Sequence, residues 1–184
     1  MSSTETLALL CAGSTRYHDA LGSCSTSDRL SRAEIAGLLS GLNEEAVNLA
    51  LAKYAGDLSA ERRLMSLVRL WAVDVALRED WKIVRGRPTV VNMAALAVFE
   101  VVRPNRCKRC NGCGFVGNKV CLSCSGMTTK PLSGRSIAEC LGIDEAAYRK
   151  LWKVRYDLCF NHVQAIDCEV NRVVRKRDNE VSFA

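Results

Sequence analysis

The chain has 184 residues, of which 48% are hydrophobic and 25% charged, with a formal net charge of +6. This composition is ordinary for a soluble globular protein and unlike that of a fibrous or disordered chain. No apolar run approaches the roughly 18 residues that a membrane span needs. The start of the chain also lacks the pattern of a secretory signal, so we expect a cytoplasmic protein with reduced cysteines.

The N-terminal half of the chain is predicted to be helical after a flexible tail. Residues 1–27 are rich in Ser and Thr and show no sustained period, so we assign them to the tail. In residues 28–102, capping signatures at Ser31, Asn43 and Ser59 are each followed by apolar residues at helical spacing. A nearly all-apolar helix over residues 89–102 follows the basic loop of residues 82–88.

Two Cys-x-x-Cys pairs occur in the next segment, residues 103–132. The pairs are Cys107 with Cys110 and Cys121 with Cys124, and ten residues separate Cys110 from Cys121. A tetrahedral structural zinc site requires four such thiolates, and the glycine after each pair lets backbone amides point at the sulfurs. The spacing therefore predicts one structural Zn²⁺ in a small ribbon or knuckle. Cys113 is a fifth thiol, which we interpret as a bystander.

The positive charge of the chain is concentrated around this motif. Residues 103–135 contain seven basic and no acidic side chains, whereas residues 1–102 contain 11 basic and 12 acidic ones and residues 136–184 contain eight of each. Such a surface attracts phosphate, although a solubilising cluster of charge would have the same composition.

The C-terminal part, residues 133–184, contains a pattern typical of a helix-turn-helix. Gly142 lies four residues after Ala138, and apolar residues flank both at helical spacing. We predict a first helix over residues 136–141, a recognition helix over residues 145–156 and a separate last helix over residues 157–177. An ordinary helical hairpin is the alternative. The residues predicted to contact DNA are Arg149, Lys150, Lys153, Arg155, Arg135, Lys108, Arg109 and Lys119.

The sequence contains no convincing set of residues for catalysis. A zinc ion with four thiolate ligands has no open position, no glycine-rich phosphate loop precedes a helix, and the two histidines lie in dissimilar contexts. A redox function of the Cys-x-x-Cys pairs would be expected beside a strand-helix-strand pattern, which the sequence lacks. We therefore expect a protein that is not an enzyme.

The cysteine repeats carry two resemblances. The repeated Cys-x-x-Cys-x-Gly resembles the zinc repeats of DnaJ-type chaperones, but those come in fours, and Thr128 stands where the second repeat would have its second glycine. Over roughly residues 45–175, the chain resembles the Q-type transcription antitermination proteins of lambdoid bacteriophages. The shared features are a helical N-terminal region, a Cys-x-x-Cys-x-Gly-x-Gly knuckle, a second Cys-x-x-Cys-x-Gly after an insert, and a helical C-terminal region with a tryptophan, here Trp152.

The second resemblance implies a mainly α protein with an inserted four-cysteine zinc element and a regulatory function. Proteins of this type bind double-stranded DNA at a phage late promoter, load onto the host RNA polymerase with its sigma factor, and make it read through terminators. The first alternative is a zinc-containing helix-turn-helix repressor or activator without antitermination activity. The more remote alternative is a DnaJ-like zinc chaperone or thiol protein.

Overall fold

The computed structural model describes residues 37–81 and 89–182, with the side chains of residues 177–182 excepted. The predicted tail, the helix start at Ser31 and the basic loop of residues 82–88 lie outside the described residues. Within these ranges the prediction of a mainly helical chain with a four-cysteine cluster is confirmed. The elements are α1 (Glu44–Tyr54), α2 (Leu58–Arg78), α3 (Thr89–Val102), β1 (Phe115–Val116), β2 (Lys119–Val120), α4 (Gly134–Leu141), α5 (Glu145–Ala147), a π-helical turn (Tyr148–Trp152) and α6 (Lys153–Ser182).

Membrane insertion finds no support in the helices that the structure describes. None of them is both long enough and apolar enough to cross a bilayer.

The beginnings of α1 and α2 show how side chains satisfy free backbone amides. The predicted cap of α1 is confirmed, because Asn43 accepts a hydrogen bond of 2.8 Å from the amide of Ala46. Helix α2 is capped by Asp57 rather than by the predicted Ser59. The Asp57 carboxylate accepts from the amides of Ser59 at 2.7 Å and Ala60 at 3.1 Å. The hydroxyl of Ser59, followed by these amides, lowers the pKa of Asp57.

The chain divides into two compact units. The first comprises the described residues up to Val68 together with those from His162 onward, and the second comprises Arg69–Asn161. The first unit therefore contains α1, the first half of α2 and the second half of α6. These units do not coincide with the segments 28–102 and 133–184, because α2 and α6 each run through both.

The core of the first unit is apolar and has one buried ionic contact beside it. Lys53 forms an ion pair of 2.7 Å with Asp167, and the hydroxyl of Tyr54 donates to the same carboxylate at 3.2 Å. Together these contacts give the buried Asp167 two partners. The large apolar side chains that are fully buried in this unit are Leu49, Leu64, Val68, Val163, Val170 and Val174.

In the second unit, two helices meet at a short turn near the predicted position. Gly142 ends α4 in the left-handed conformation, with φ 66° and ψ 33°, and Asp144 caps α5 by accepting from the amide of Ala147 at 2.9 Å. The helical backbone then continues without a break from Glu145 to Ser182. The predicted boundary between Tyr156 and Asp157 is therefore wrong, and a DNA-reading helix-turn-helix is not confirmed.

The continuity of this helix has a simple physical reason. Residues 145–182 contain neither glycine nor proline, the two residue types that most readily end a helix. Buried side chains also follow one another at intervals of three or four residues along it, which keeps one face in the core. These side chains include Tyr148, Trp152, Tyr156, Cys159 and Val163.

Candidate metal centre and basic surface

The four predicted ligand cysteines come together at one point. Their sulfur atoms all lie within 4.8 Å of one another, with 3.9 Å between Cys107 and Cys121 and 3.7 Å between Cys110 and Cys124. Thiolates at the corners of a tetrahedron around a metal at about 2.3 Å would be about 3.8 Å apart. All four cysteines are buried and free of disulfide bonds. The cluster therefore has the size and ligand chemistry to hold a metal ion.

The metal centre is built from two halves that repeat the same contacts 14 residues apart. The amide of Cys107 donates to the carbonyl of Thr128 at 2.9 Å, and the amide of Cys121 donates to the carbonyl of Gly114 at 2.8 Å. We call residues 105–114 the first knuckle and residues 119–128 the second knuckle. Each knuckle thus holds the first cysteine of the other through a backbone hydrogen bond.

The short strands of this segment follow the same repeat. Phe115 pairs with Val120 in the hairpin of β1 and β2, and 14 residues away in each strand Arg106 forms a bridge with Thr129. The amide of Lys130 adds a hydrogen bond of 2.8 Å to the carbonyl of Asn105. The two halves consequently brace each other, although each supplies only two thiols.

Backbone amides and burial act in opposite directions on these thiols. Hydrogen bonding from the Cys110 amide is the largest influence on Cys107 and lowers its pKa to about 6. Burial raises the pKa of Cys124 to about 11. For Cys110 burial acts upward, but amides including that of Gly114, whose nitrogen lies 3.3 Å from the sulfur, lower its pKa overall. The amides favour thiolates, whereas burying four negative charges requires a cation among them.

Gly114 and Thr128 occupy equivalent positions in the two knuckles, and both have positive φ, at 82° and 64°. A Cβ atom on Gly114 would stand 2.8 Å from the carbonyl oxygen of Gly126, which is backbone and cannot turn away. Only glycine fits there. Thr128 is a β-branched residue in a conformation that such residues rarely adopt, so the second knuckle contains a strained position where the first does not.

Three substitutions should separate steric clash from backbone strain. We expect Gly114→Ala to destabilise the metal-loaded chain by about 2–4 kcal/mol, because clash and positive φ act together. Gly117→Ala should cost only about 1 kcal/mol, since its φ is 60° and nothing lies within 4 Å of the added Cβ. Thr128→Gly should stabilise by up to about 1 kcal/mol, as relief of strain exceeds the added chain entropy. Urea unfolding of the metal-loaded variants measures all three, and equal costs for the two alanine variants would contradict the clash.

Four of the predicted DNA-contacting residues carry free positive charge. Lys108, Arg109, Lys119 and Lys150 are exposed, and none of them forms an ion pair within the described part of the chain. The first three belong to the two knuckles. The metal centre is therefore surrounded by cations that no neighbouring carboxylate neutralises.

Three further predicted contacts are exposed but paired with a carboxylate four residues away. Arg135 contacts Glu139 at 3.1 Å, Lys153 contacts Asp157 at 2.7 Å, and Arg149 pairs with Glu145. Exposed pairs of this kind contribute only about 0.3–0.5 kcal/mol each. They are therefore weak enough to open in favour of another anion.

Arg155 lies elsewhere than on the outer side of the helix, where we expected it. Its guanidinium carbon is 5.1 Å from the ring centre of Trp81 and 4.8 Å from that of Trp152. Both tryptophans are buried, and Arg155 is itself half-buried. Its charge interacts with the faces of two aromatic rings, so its place in the structure is that of a packing residue.

A buried carboxylate that sequence reasoning missed lies in α3. Glu100 accepts a hydrogen bond of 2.7 Å from the amide of Leu132 and another from the hydroxyl of Tyr156. It also lines an open cleft of about 320 Å³ in the second unit. A single acid in the otherwise apolar stretch Thr89–Val102 was the signal that could have found it.

No protein-family model, curated protein or solved structure matches this chain. The resemblance to Q-type antitermination proteins therefore rests on the cysteine spacing and the helical flanks alone.

Proposed function

We propose that this chain is a zinc-containing, DNA-binding transcription antitermination protein. The observation that carries the proposal is the arrangement of residues 103–135, in which a cluster of four buried thiols lies within an exposed region that has basic side chains and no acidic ones. Zinc would give this region its shape. The lysines and arginines would attract the phosphates of DNA.

Zinc is the metal that best suits the four sulfurs. It prefers tetrahedral thiolate sites and has no redox chemistry, so four cysteines form a closed structural site rather than a catalytic one. The burial of the sulfurs and the backbone hydrogen bonds between the knuckles support this assignment, because both favour a rigid, water-excluded centre. A regulatory protein rather than an enzyme follows from that choice.

The basic surface would be the part of the protein that meets DNA. Lys108, Arg109 and Lys119 are exposed and unpaired, so they would neutralise phosphates without first breaking an ion pair. Arg149 and Lys153 would exchange a weak carboxylate contact for a phosphate. Phosphate contacts of this kind position a protein on the duplex but do not read its sequence.

Sequence reading would come from the helices on either side of Gly142. In this proposal α4 supports α5 and the π-helical turn, which present Arg149 and Lys150 to the base edges of the major groove. Asp144 and Gly142 fix the turn between them. The resemblance to Q-type proteins supplies the remaining step, in which the DNA-bound protein transfers to RNA polymerase paused with its sigma factor.

Transcription from a promoter next to the gene for this chain tests the whole proposal. Footprinting locates the bound DNA, and a run-off reaction with a paused polymerase complex then measures passage through a downstream terminator. We expect added protein to increase read-through. Unchanged read-through despite a clear footprint would reject antitermination in favour of a repressor or activator, and the absence of any footprint would reject both.

Two double variants should distinguish phosphate contacts from base contacts. We expect Lys108→Ala with Arg109→Ala to weaken binding to all DNA sequences alike and to reduce the salt slope of log K by about 2. Arg149→Ala with Lys150→Ala should cost roughly 1–3 kcal/mol on the specific site where a bidentate base contact is lost. Binding titrations at several salt concentrations, on specific and random duplexes, measure both effects.

Arg78→Ala is the matched control for these variants, because Arg78 is exposed on α2 and paired with Asp74 at 2.8 Å. It should leave DNA affinity and salt slope unchanged. If it weakens binding as much as the knuckle variants do, the effect is one of net charge and the proposed DNA surface is wrong.

A further inference from the structure

The two knuckles share one backbone design but have different surfaces. Positions 14 residues apart are equivalent, as the paired contacts of Cys107 with Cys121 show. Where the first knuckle has Lys108, the second has Leu122, and where the first has Arg106, the second has Val120. Equivalent positions are therefore basic on one side of the metal centre and apolar on the other.

The apolar side chains of the second knuckle are exposed to an unusual degree. Leu122 is 84% exposed and Met127 67%, and the adjoining hairpin adds Phe115 at 53% and Val120 at 51%. Four large apolar side chains within 13 residues do not share in any core. Exposed apolar residues are common when they are scattered, but a group of them is typical of an interaction surface.

Three of these positions are joined by direct contacts in the backbone framework. Phe115 and Val120 are paired across the hairpin, so their side chains lie on the same face of it. A Cβ on Gly126 would stand 3.3 Å from the Val120 side chain, which places the residue before Met127 against that valine. We call Phe115, Val120, Leu122 and Met127 the apolar knuckle surface.

We propose that the apolar knuckle surface docks an acidic, amphipathic segment of a partner protein. Three of its four residues are aliphatic, whereas single-stranded nucleic acids are bound by stacking bases on aromatic rings. A protein segment with apolar side chains along one face suits it better. This inference goes beyond the proposed function and does not depend on DNA binding.

The charge around the surface selects the kind of protein segment. Residues 103–135 contain seven basic side chains and no acidic ones, so an acidic partner gains attraction from every direction. The same charge disfavours a second copy of this chain, since two such regions would repel each other when brought face to face. The acidic residues of the partner would lie around an apolar face that fits onto Leu122 and Met127.

A designed peptide tests the inference on the full, metal-loaded chain. The peptide is a helix of about five turns, roughly 18 residues, with leucines at i, i+3, i+4 and i+7 and with Glu and Asp elsewhere. Its partner probe has the same composition in scrambled order. Fluorescence anisotropy of the labelled peptides measures binding at physiological salt.

The variant Leu122→Ser with Met127→Ser removes the two most exposed side chains of the surface. We expect it to bind the amphipathic peptide at least about tenfold more weakly than the unchanged chain, as is usual when central apolar anchors are truncated. The matched control is Leu70→Ser with Leu77→Ser, which replaces two leucines that are each 70% exposed on α2. It should bind the peptide as the unchanged chain does.

Three outcomes would overturn the inference. They are equal binding of the scrambled and amphipathic peptides, equal loss in the two serine variants, and no binding of the amphipathic peptide to the unchanged chain. Metal content of one ion per chain shows that the serine variants are folded at the knuckles. DNA binding of Leu122→Ser with Met127→Ser should be unchanged, so failure here leaves the DNA-binding proposal standing, and loss of DNA binding in this variant would assign the surface to nucleic acid instead.

Discussion

Replacing Cys107 or Cys124 with serine should abolish metal binding and unfold residues 103–132. A serine hydroxyl does not supply the thiolate that a structural zinc site needs, and three remaining thiolates hold the ion far more weakly. In small metal-dependent units the zinc contributes roughly 10–16 kcal/mol, which is also the free energy that folds them. The two strands of this segment have two residues each and cannot replace that contribution.

Metal analysis after gel filtration, together with amide spectra, measures this prediction. We expect one zinc per chain in the unchanged protein and none in either variant, with loss of dispersed amide signals from residues 103–132. Cys113→Ser is the control. Cys113 is exposed, and its thiol donates to the carbonyl of Phe115 at 3.0 Å rather than joining the cluster. One ion retained in both ligand variants would show that the assigned ligands are wrong.

The ligand cluster could be predicted from the sequence because its geometry is local. A Cys-x-x-Cys pair turns two sulfurs toward one point whatever the rest of the chain does, and two such pairs at short separation have few other arrangements. The same holds for Asn43, which caps the amide three residues later, and for the apolar stretch that forms α3 between Thr89 and Val102. Each signal and its consequence lie within one or two turns of backbone.

What the sequence did not reveal depends on partners far away along the chain. Glu100 and Tyr156 are 56 residues apart, and nothing near either one indicates that they meet. The position of Arg155 is set by Trp81, on the other side of the metal segment. We expected Arg155 to face outward because periodicity alone does not tell which face of a helix meets a distant tryptophan.

The helix boundary expected after Tyr156 failed for a different reason. The helix-turn-helix pattern predicts where the second helix begins, and Asp144 does cap it, but the pattern contains no signal for where that helix ends. The absence of glycine and proline was the better guide. The π-helical turn Tyr148–Trp152 carries no sequence signature, and it shifts the helical register within the stretch assigned to DNA reading.

The unequal surfaces of the knuckles show how composition and structure combine. The excess of basic residues in residues 103–135 was visible in the sequence, as were Leu122 and Met127. Only the structure shows that these apolar side chains are exposed and that they stand at the positions equivalent to Lys108 and Cys113. A sequence reading would place them in a core, because most leucines and methionines lie there.

Glu100→Ala should destabilise the second unit by about 3–5 kcal/mol. Glu100 is buried, and its carboxylate accepts from the amide of Leu132 and the hydroxyl of Tyr156. Burial, followed by the hydrogen bond to Glu100, raises the pKa of Tyr156, so the phenol stays protonated and remains a donor. Alanine would leave both donors without an acceptor inside the protein. A buried donor that loses its partner costs about 1–3 kcal/mol, more when the lost partner is charged.

Two further variants assign that cost to its parts in urea unfolding. Tyr156→Phe removes one donor and leaves the Leu132 contact, so it should cost about 1.5–3 kcal/mol, less than Glu100→Ala. In the double variant the two costs should add to less than their sum, because both include the same hydrogen bond. A cost of Glu100→Ala at or below that of Tyr156→Phe would show that the Leu132 amide gains nothing from the carboxylate. Since Leu132 ends the metal segment and precedes α4, that amide contact is what holds the return of the chain from the knuckles against α3.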